Sequence, residues 1–148
     1  MKTDPFELNR FLTAQEGVWE RALAEIRSGR KRTHWMWYVF PQFAGLGFSS
    51  TTQFYAIQSR GEARAYLAHP LLGARLREGV QAALAAVRAG HTVSGVFGFP
   101  DDRKLQSCAT LFALLPDADP VFATLLDTAF GGERDQETLR LLAENAAR

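Results

Sequence analysis

Residues 34–42 read HWMWYVFPQ, and the fold class turns on how this stretch is read. Nine positions hold two tryptophans, a tyrosine, a histidine and a phenylalanine, directly after the basic run Arg30-Lys31-Arg32. As a strand, alternation sets Trp35, Trp37 and Val39 against His34, Met36, Tyr38 and Phe40, which leaves large apolar groups on both faces. As a helix capped by Thr33 and ended by Pro41, Met36 pairs with Phe40 and Trp35 with Val39 on an apolar side. His34, Trp37 and Tyr38 then share the opposite face at i, i+3 and i+4. No other run of similar length offers itself as a pairing strand, so the helix is the consistent reading.

Outward from this stretch the period stays helical, punctuated by prolines and capping residues. Asp4, Pro5 and Glu7 have the spacing of a capping box at the start of a first helix, and Ser28-Gly29 closes a second. FAGLGFSS reads as a loop. Ser50 with Gln53, and Ser59 with Glu62, are cap signals for two further short helices. Pro70 opens the longest one, whose Leu72, Leu76, Val80, Ala83, Leu84 and Val87 form one apolar stripe. VSGVFGF, residues 93–99, is ambiguous between a helical turn and a strand. Helices restart at Pro100-Asp101, with Leu105, Cys108, Leu111, Phe112 and Leu115 on one face, at Asp119-Pro120, and near Asp135. The expectation is a single all-α domain over residues 1–148, built from about seven or eight short helices.

A chain of 148 residues can bury a core sufficient to fold without a metal or disulfide. The lone Cys108 excludes an internal disulfide and a cysteine-rich zinc site, and its apolar neighbours favour a core thiol. His34, His69 and His91 lie too far apart for a helical metal pair, so no metal and no cofactor is expected. The N-terminus lacks the basic, apolar and small-residue order of a signal peptide, and no apolar run approaches the ~18 residues of a membrane span. A cytoplasmic protein with no membrane partner is the expectation.

Charge is uneven along the chain. Between Glu25 and Glu62 there is no acid, while Arg27, Arg30, Lys31, Arg32 and Arg60 contribute +5, so with a total of +1 the remainder carries −4. The same interval holds 8 of the 17 aromatic residues. Burying a large aromatic is worth roughly 1.5–3 kcal/mol, against about 0.5–1 kcal/mol for a cation over an exposed ring, so packing must claim most of these rings. The polar-tipped face of His34, Trp37 and Tyr38 is the exception worth following.

The candidate ligand contacts are Arg32, Trp37, Tyr38, Gln42, Tyr55, Lys104 and Ser107, with His34 or Asp102 handling protons. Trp37 and Tyr38 would stack on a ring while Arg32 and Lys104 hold an anion. Asp101 and Asp102 also suit a helix start for structural reasons, and Ser107 as a nucleophile would need a base that the sequence does not supply. No Walker loop and no dinucleotide fingerprint is present.

Assembled in order, DPFELNRFLTAQ, GRKRTHWMWYVFPQ, LGFSSTTQFYAI, YLAHPLLGARL, DDRKLQSCATLF and FGGERDQETLRLL resemble the bacterial domain-of-unknown-function 1810 family, some members of which carry the label calpastatin. The resemblance covers nearly the whole chain and implies a compact all-α fold without an established activity. SSTTQFYAIQS and KLQSCATLFALLPDADPVFATLL are more faintly similar to the NADAR family of ADP-ribose-linked N-glycosidases, in which an aromatic and acidic pocket cleaves a glycosidic bond at a ribose. The closing WG-rich motif of that family is absent, and FGGERD stands as a distant counterpart.

Two functions are therefore expected. The first is a pocket for a small anionic or nucleotide-like ligand, with hydrolytic chemistry of the N-glycosidase kind as the activity that the fainter resemblance implies. The alternative is a noncatalytic module that binds nucleic acid or an acidic protein through a basic, aromatic surface; near-neutral total charge favours the small ligand over nucleic acid.

Overall fold

The computed structural model describes residues 3–146, so both extremes of the expected 1–148 domain lie outside them. Ten helices follow in order: α1 (Asn9–Gln15), α2 (Trp19–Arg27), α3 (Met36–Val39), α4 (Ser50–Tyr55), α5 (Arg60–Ala68), α6 (Leu72–Arg88), α7 (Val93–Phe97), α8 (Asp101–Ala113), α9 (Pro120–Ala129) and α10 (Gln136–Ala146). Seven of them reach seven residues or more, and the described residues contain no strand. The all-α reading holds. What replaces a sheet is one isolated parallel bridge between Phe43 and Ile57, in which Ile57 N–H donates to the Gln42 carbonyl and Ala44 N–H to the Ile57 carbonyl, both at 2.9 Å.

The long α6 is central and packs against α2, α5 and α9, while α8 packs on α9. Its expected stripe is buried through Leu72, Leu76, Val80, Ala83 and Leu84, with Val87 partly buried. Two glycines allow close approach at α6. A Cβ on Gly79 would stand 3.1 Å from the Phe40 ring, and one on Gly73 would overlap the Leu67 carbonyl oxygen.

The aromatic stretch supplies much of the remaining core. Trp35, Phe40 and Phe97 form a mutual cluster with ring centroids 5.9–6.3 Å apart, in the range where tilted and edge-on aromatic pairs are favourable. Of the ambiguous run 93–99, residues 93–97 form a helix, and its Phe97 joins this cluster. Thr92 caps α7 through the Gly95 amide at 2.9 Å, and Gly98, at φ 74°, ends it and leaves Phe97 pointing into the core.

Several local expectations require correction. Asp4 does cap, but its carboxylate takes the amides of Leu8 and Asn9 while Glu7 sits at φ 54°, so α1 starts later and no capping box forms. Thr33 does not cap α3; its hydroxyl and amide are both drawn to Glu25, and the helix begins at Met36. Ser49 rather than Ser50 caps α4. Pro70 precedes α6 without starting it, because the Nδ1 of His69 accepts from the Leu71 and Leu72 amides and fixes the first turn at Leu72. Asp101 lies inside the first turn of α8, where it pairs with two lysines instead of capping. The expected caps at Ser59 and Asp119 are present.

Candidate functional site

The acid-free interval folds around an acid that precedes it. Glu25, buried on α2, accepts through Oε1 from the Arg32 amide (2.8 Å), the Thr33 amide (3.0 Å) and the Trp35 indole (3.0 Å), and through Oε2 from the Thr33 hydroxyl (2.7 Å). Burial pushes its carboxyl upward, but the Arg32 amide, the Thr33 hydroxyl and amide, and the Trp35 indole outweigh that and bring it down to about 2. One carboxylate thus pins the whole entry to the aromatic stretch.

Lys31 turns inward too. Its amine donates to the Thr33 carbonyl, pairs with Asp101 at 3.0 Å and lies 4.9 Å from the centre of the Trp35 ring, with only 6% of the side chain exposed. The basic run is therefore not a continuous cationic strip, since Arg30 and Arg32 are exposed on either side of a buried lysine.

The three polar-tipped rings do not share one face. His34 is exposed and precedes α3, and its carbonyl accepts the Tyr38 hydroxyl at 3.4 Å. Tyr38 packs against Tyr55 at 5.3 Å, where partial burial and the neighbouring Tyr55 phenol raise its pKa against the pull of Arg21. Trp37 goes another way, into a shallow dent lined also by Gln42, Thr52 and Tyr55, and the Lys104 amine lies 5.3 Å from its ring centre.

That dent adjoins a cleft of about 430 Å³, with which it shares Gln42 and Thr52. Its lining comes from Arg103, Lys104 and Ser107 of α8, from Leu46, Gly47 and Thr52 before and within α4, and from Asp135 and Glu137 at the start of α10. The chain next to the lining carries two of the most exposed aromatics, Phe48 beside Gly47 and Phe99 beside Pro100. Arg103 stands 5.9 Å from the Phe99 ring centre.

The lining groups are differently committed. Lys104 pairs with Asp101 at 3.6 Å, Ser107 donates to the Arg103 carbonyl at 3.1 Å, and Asp135 is occupied by the Thr138 amide and hydroxyl at the start of α10. Glu137 is held by Arg140, whose proximity lowers its pKa. Asp102 stands outside this cleft. Its carboxylate accepts from Ser94 and from the Arg103 amide, and it lines a separate hollow with Thr92 and Gln106. Arg32 and His34 border neither the cleft nor the dent. Of the expected contacts, Trp37, Gln42, Tyr55, Lys104 and Ser107 line the cleft or the dent, Tyr38 touches Tyr55 without lining either, and Arg32, His34 and Asp102 line neither. Among the described residues no group of three or more His, Cys, Asp or Glu side chains is placed to hold a metal ion, and none of their helices is long and apolar enough to cross a membrane.

Residues 5–142 match the family model described as a protein of unknown function, DUF1810. The chain belongs to the DUF1810 family. The crystal structure of the conserved hypothetical protein Rv1873 from Mycobacterium tuberculosis is 48% identical, with a TM-score of 0.91 over 95% of this chain and 99% of that one. No curated protein matches. Neither description names a ligand or a reaction, so what this DUF1810 chain does rests on its own side chains.

Three polar anchors of the DUF1810 fold escaped the sequence reading. Glu25 is one. Arg10, tied to Glu62 at 2.6 Å and to the carbonyls of Phe6, Phe54 and Ala56, is the second. The third is Gln15, buried between the Tyr38 carbonyl, the Tyr66 hydroxyl and Arg75. Each sits on an amphipathic helix at a position facing the core, and a polar residue at a core position is the one sequence signal that could have found it.

Proposed function

We propose that this DUF1810 protein binds a small anionic ligand carrying a planar ring, of nucleotide or ADP-ribose type, in the cleft between α4, α8 and α10. The observation that carries the reading is the pairing of Lys104 with Trp37 at the place where cleft and dent meet. A cation already resting near an indole offers charge to a phosphate; the dent at Trp37 holds only about 10 Å³, so the ring would lie in the cleft, where the exposed Phe48 and Phe99 adjoin the lining. Arg103 near the exposed Phe99 repeats that combination at the rim. A volume of about 430 Å³ falls within the usual range of roughly 300–1,000 Å³ for small-molecule sites.

Binding, rather than hydrolysis, is what the side chains support. Ser107 spends its proton on the Arg103 carbonyl, Asp135 caps α10, and His34 and Asp102 lie elsewhere, which leaves the cleft without an uncommitted acid and base. The nucleic-acid alternative loses the continuous basic strip it was read from, because Lys31 lies buried against Asp101 between Arg30 and Arg32, and Arg27 faces Glu78 at 3.8 Å.

Calorimetric titration with ADP, ADP-ribose and adenosine tests the reading. ADP or ADP-ribose should bind, Lys104→Ala should weaken both on the order of tenfold, and adenosine should bind less well than either. Absence of saturable binding by any of the three at millimolar concentration sinks it.

A further inference from the structure

A second hollow, of about 500 Å³, shares no lining residue with the proposed nucleotide cleft. It runs between Gly61, Arg64, Ala65 and Ala68 of α5, Arg77 of α6, and Leu115, Pro116 and Asp117 in the turn after α8. Its lining includes the apolar side chains of Ala65, Leu67, Ala68, Leu115 and Pro116, of which Leu67 and Leu115 are buried. The partly exposed Leu114 adjoins it in the chain.

The charges around that lining are arranged in two states of readiness. Arg77 is fixed, because its guanidinium reaches Asp119 at 3.4 Å and the Leu67 carbonyl at 3.4 Å, and it lies against Gly73, where a side chain would intrude. Arg64 and Asp117 are exposed and make no ion pair among the described residues. A groove with a preorganised guanidinium, a second free guanidinium, a free carboxylate and an apolar lining offers a complement to a molecule bearing a carboxylate, an ammonium and an apolar body together.

We propose that this groove is a binding site for a small peptide-like zwitterion with apolar side chains, its carboxylate on Arg64 and Arg77 and its ammonium on Asp117. Desolvation of the apolar body over Ala65, Ala68, Leu115 and Pro116 supplies the affinity, and the charge pair at the ends sets orientation. This proposal is independent of the nucleotide reading.

The test is calorimetric titration of the full chain with leucyl-leucine and with its N-acetyl derivative, which keeps the carboxylate and loses the ammonium. Leucyl-leucine should saturate the protein at millimolar concentration or below. Arg64→Ala should weaken it on the order of tenfold, the loss expected for one charge-assisted contact. Asp117→Asn should bring leucyl-leucine down to the affinity of the N-acetyl derivative and leave that derivative unchanged. Lys104→Ala, in the other cleft, should change nothing here. Both Arg64 and Asp117 are exposed, so thermal melts of these variants should overlay the parent and rule out unfolding as the cause. No saturable binding of leucyl-leucine, or unaltered binding in both Arg64→Ala and Asp117→Asn, overturns the proposal.

Discussion

The indole N–H of Trp35 donates to the carboxylate of Glu25 at 3.0 Å, and the two side chains are buried together where α2 meets the aromatic stretch. Three donors converge on Oε1 and a fourth on Oε2. Because the folded pKa is about 2 against an ordinary 4.5, the ionised form stabilises the fold. That contribution is complete above pH ~4.5 and is lost as pH falls toward 2. Urea unfolding between pH 6 and pH 2.5 should show a decline of about 2–3 kcal/mol from this residue. Glu25→Gln keeps a carbonyl for the three donors and an amide for Thr33, so it should fold, with that part of the acid slope removed. An unchanged pH profile in Glu25→Gln contradicts the assignment.

Arg10 and Glu62 form a pair with 10% and 3% of their side chains exposed. Glu62 also accepts from the Gln58 amide, and Arg10 spends its remaining donors on backbone carbonyls of the α1 entry and the end of α4. Removing one partner leaves a buried charge uncompensated, so Glu62→Ala should cost about 3–5 kcal/mol. The loss should persist in high salt, since a buried pair is poorly screened. Denaturation with and without added sodium chloride measures both.

Gly73 is required by contact, since its backbone conformation is ordinary. Alanine there directs a methyl into the Leu67 carbonyl, a backbone atom that cannot rotate away. Gly73→Ala should destabilise by about 3 kcal/mol or more despite alanine's better helix propensity. Gly90→Ala, where nothing stands within 4 Å, is strained only by its φ of 109° and should cost about 1–3 kcal/mol. Parallel thermal melts rank the two.

Cys108 is wholly buried, and loss of hydration raises its thiol well above the ordinary value. A thiol reacts as its thiolate, so iodoacetamide at pH 8 should leave native protein unmodified and label it rapidly in urea. Mass spectrometry reads the outcome. Fast labelling of the native protein would place the thiol outside the core.

Much of the fold is legible in single stretches. The stripe on α6, the apolar face of α8 and the stops at Gly29 and Gly131 follow from period and punctuation, because a helix's burial and ends are set by residues within a turn or two of each other. Helix starts were less legible. Thr33 has the right side chain to cap α3, yet Glu25 competes for it from another helix. The candidate site was legible only in part: Trp37, Gln42, Tyr55, Lys104 and Ser107 line the cleft or the dent, while Tyr38 reaches only Tyr55 and His34 stays exposed ahead of α3, which starts at Met36 and is too short to hold the three rings on one face.

The sequence by itself determined an all-α domain, its core stripes and the burial of Cys108, since local periodicity and capping leave few other ways to bury those side chains. Tertiary structure alone decided that Lys31 turns inward, that Glu25 closes the aromatic stretch, and that Lys104 comes to rest beside Trp37. Those pairings join residues on different helices, and how helices pack is fixed by side-chain volumes and glycine contacts such as Gly79 on Phe40, which no local pattern encodes.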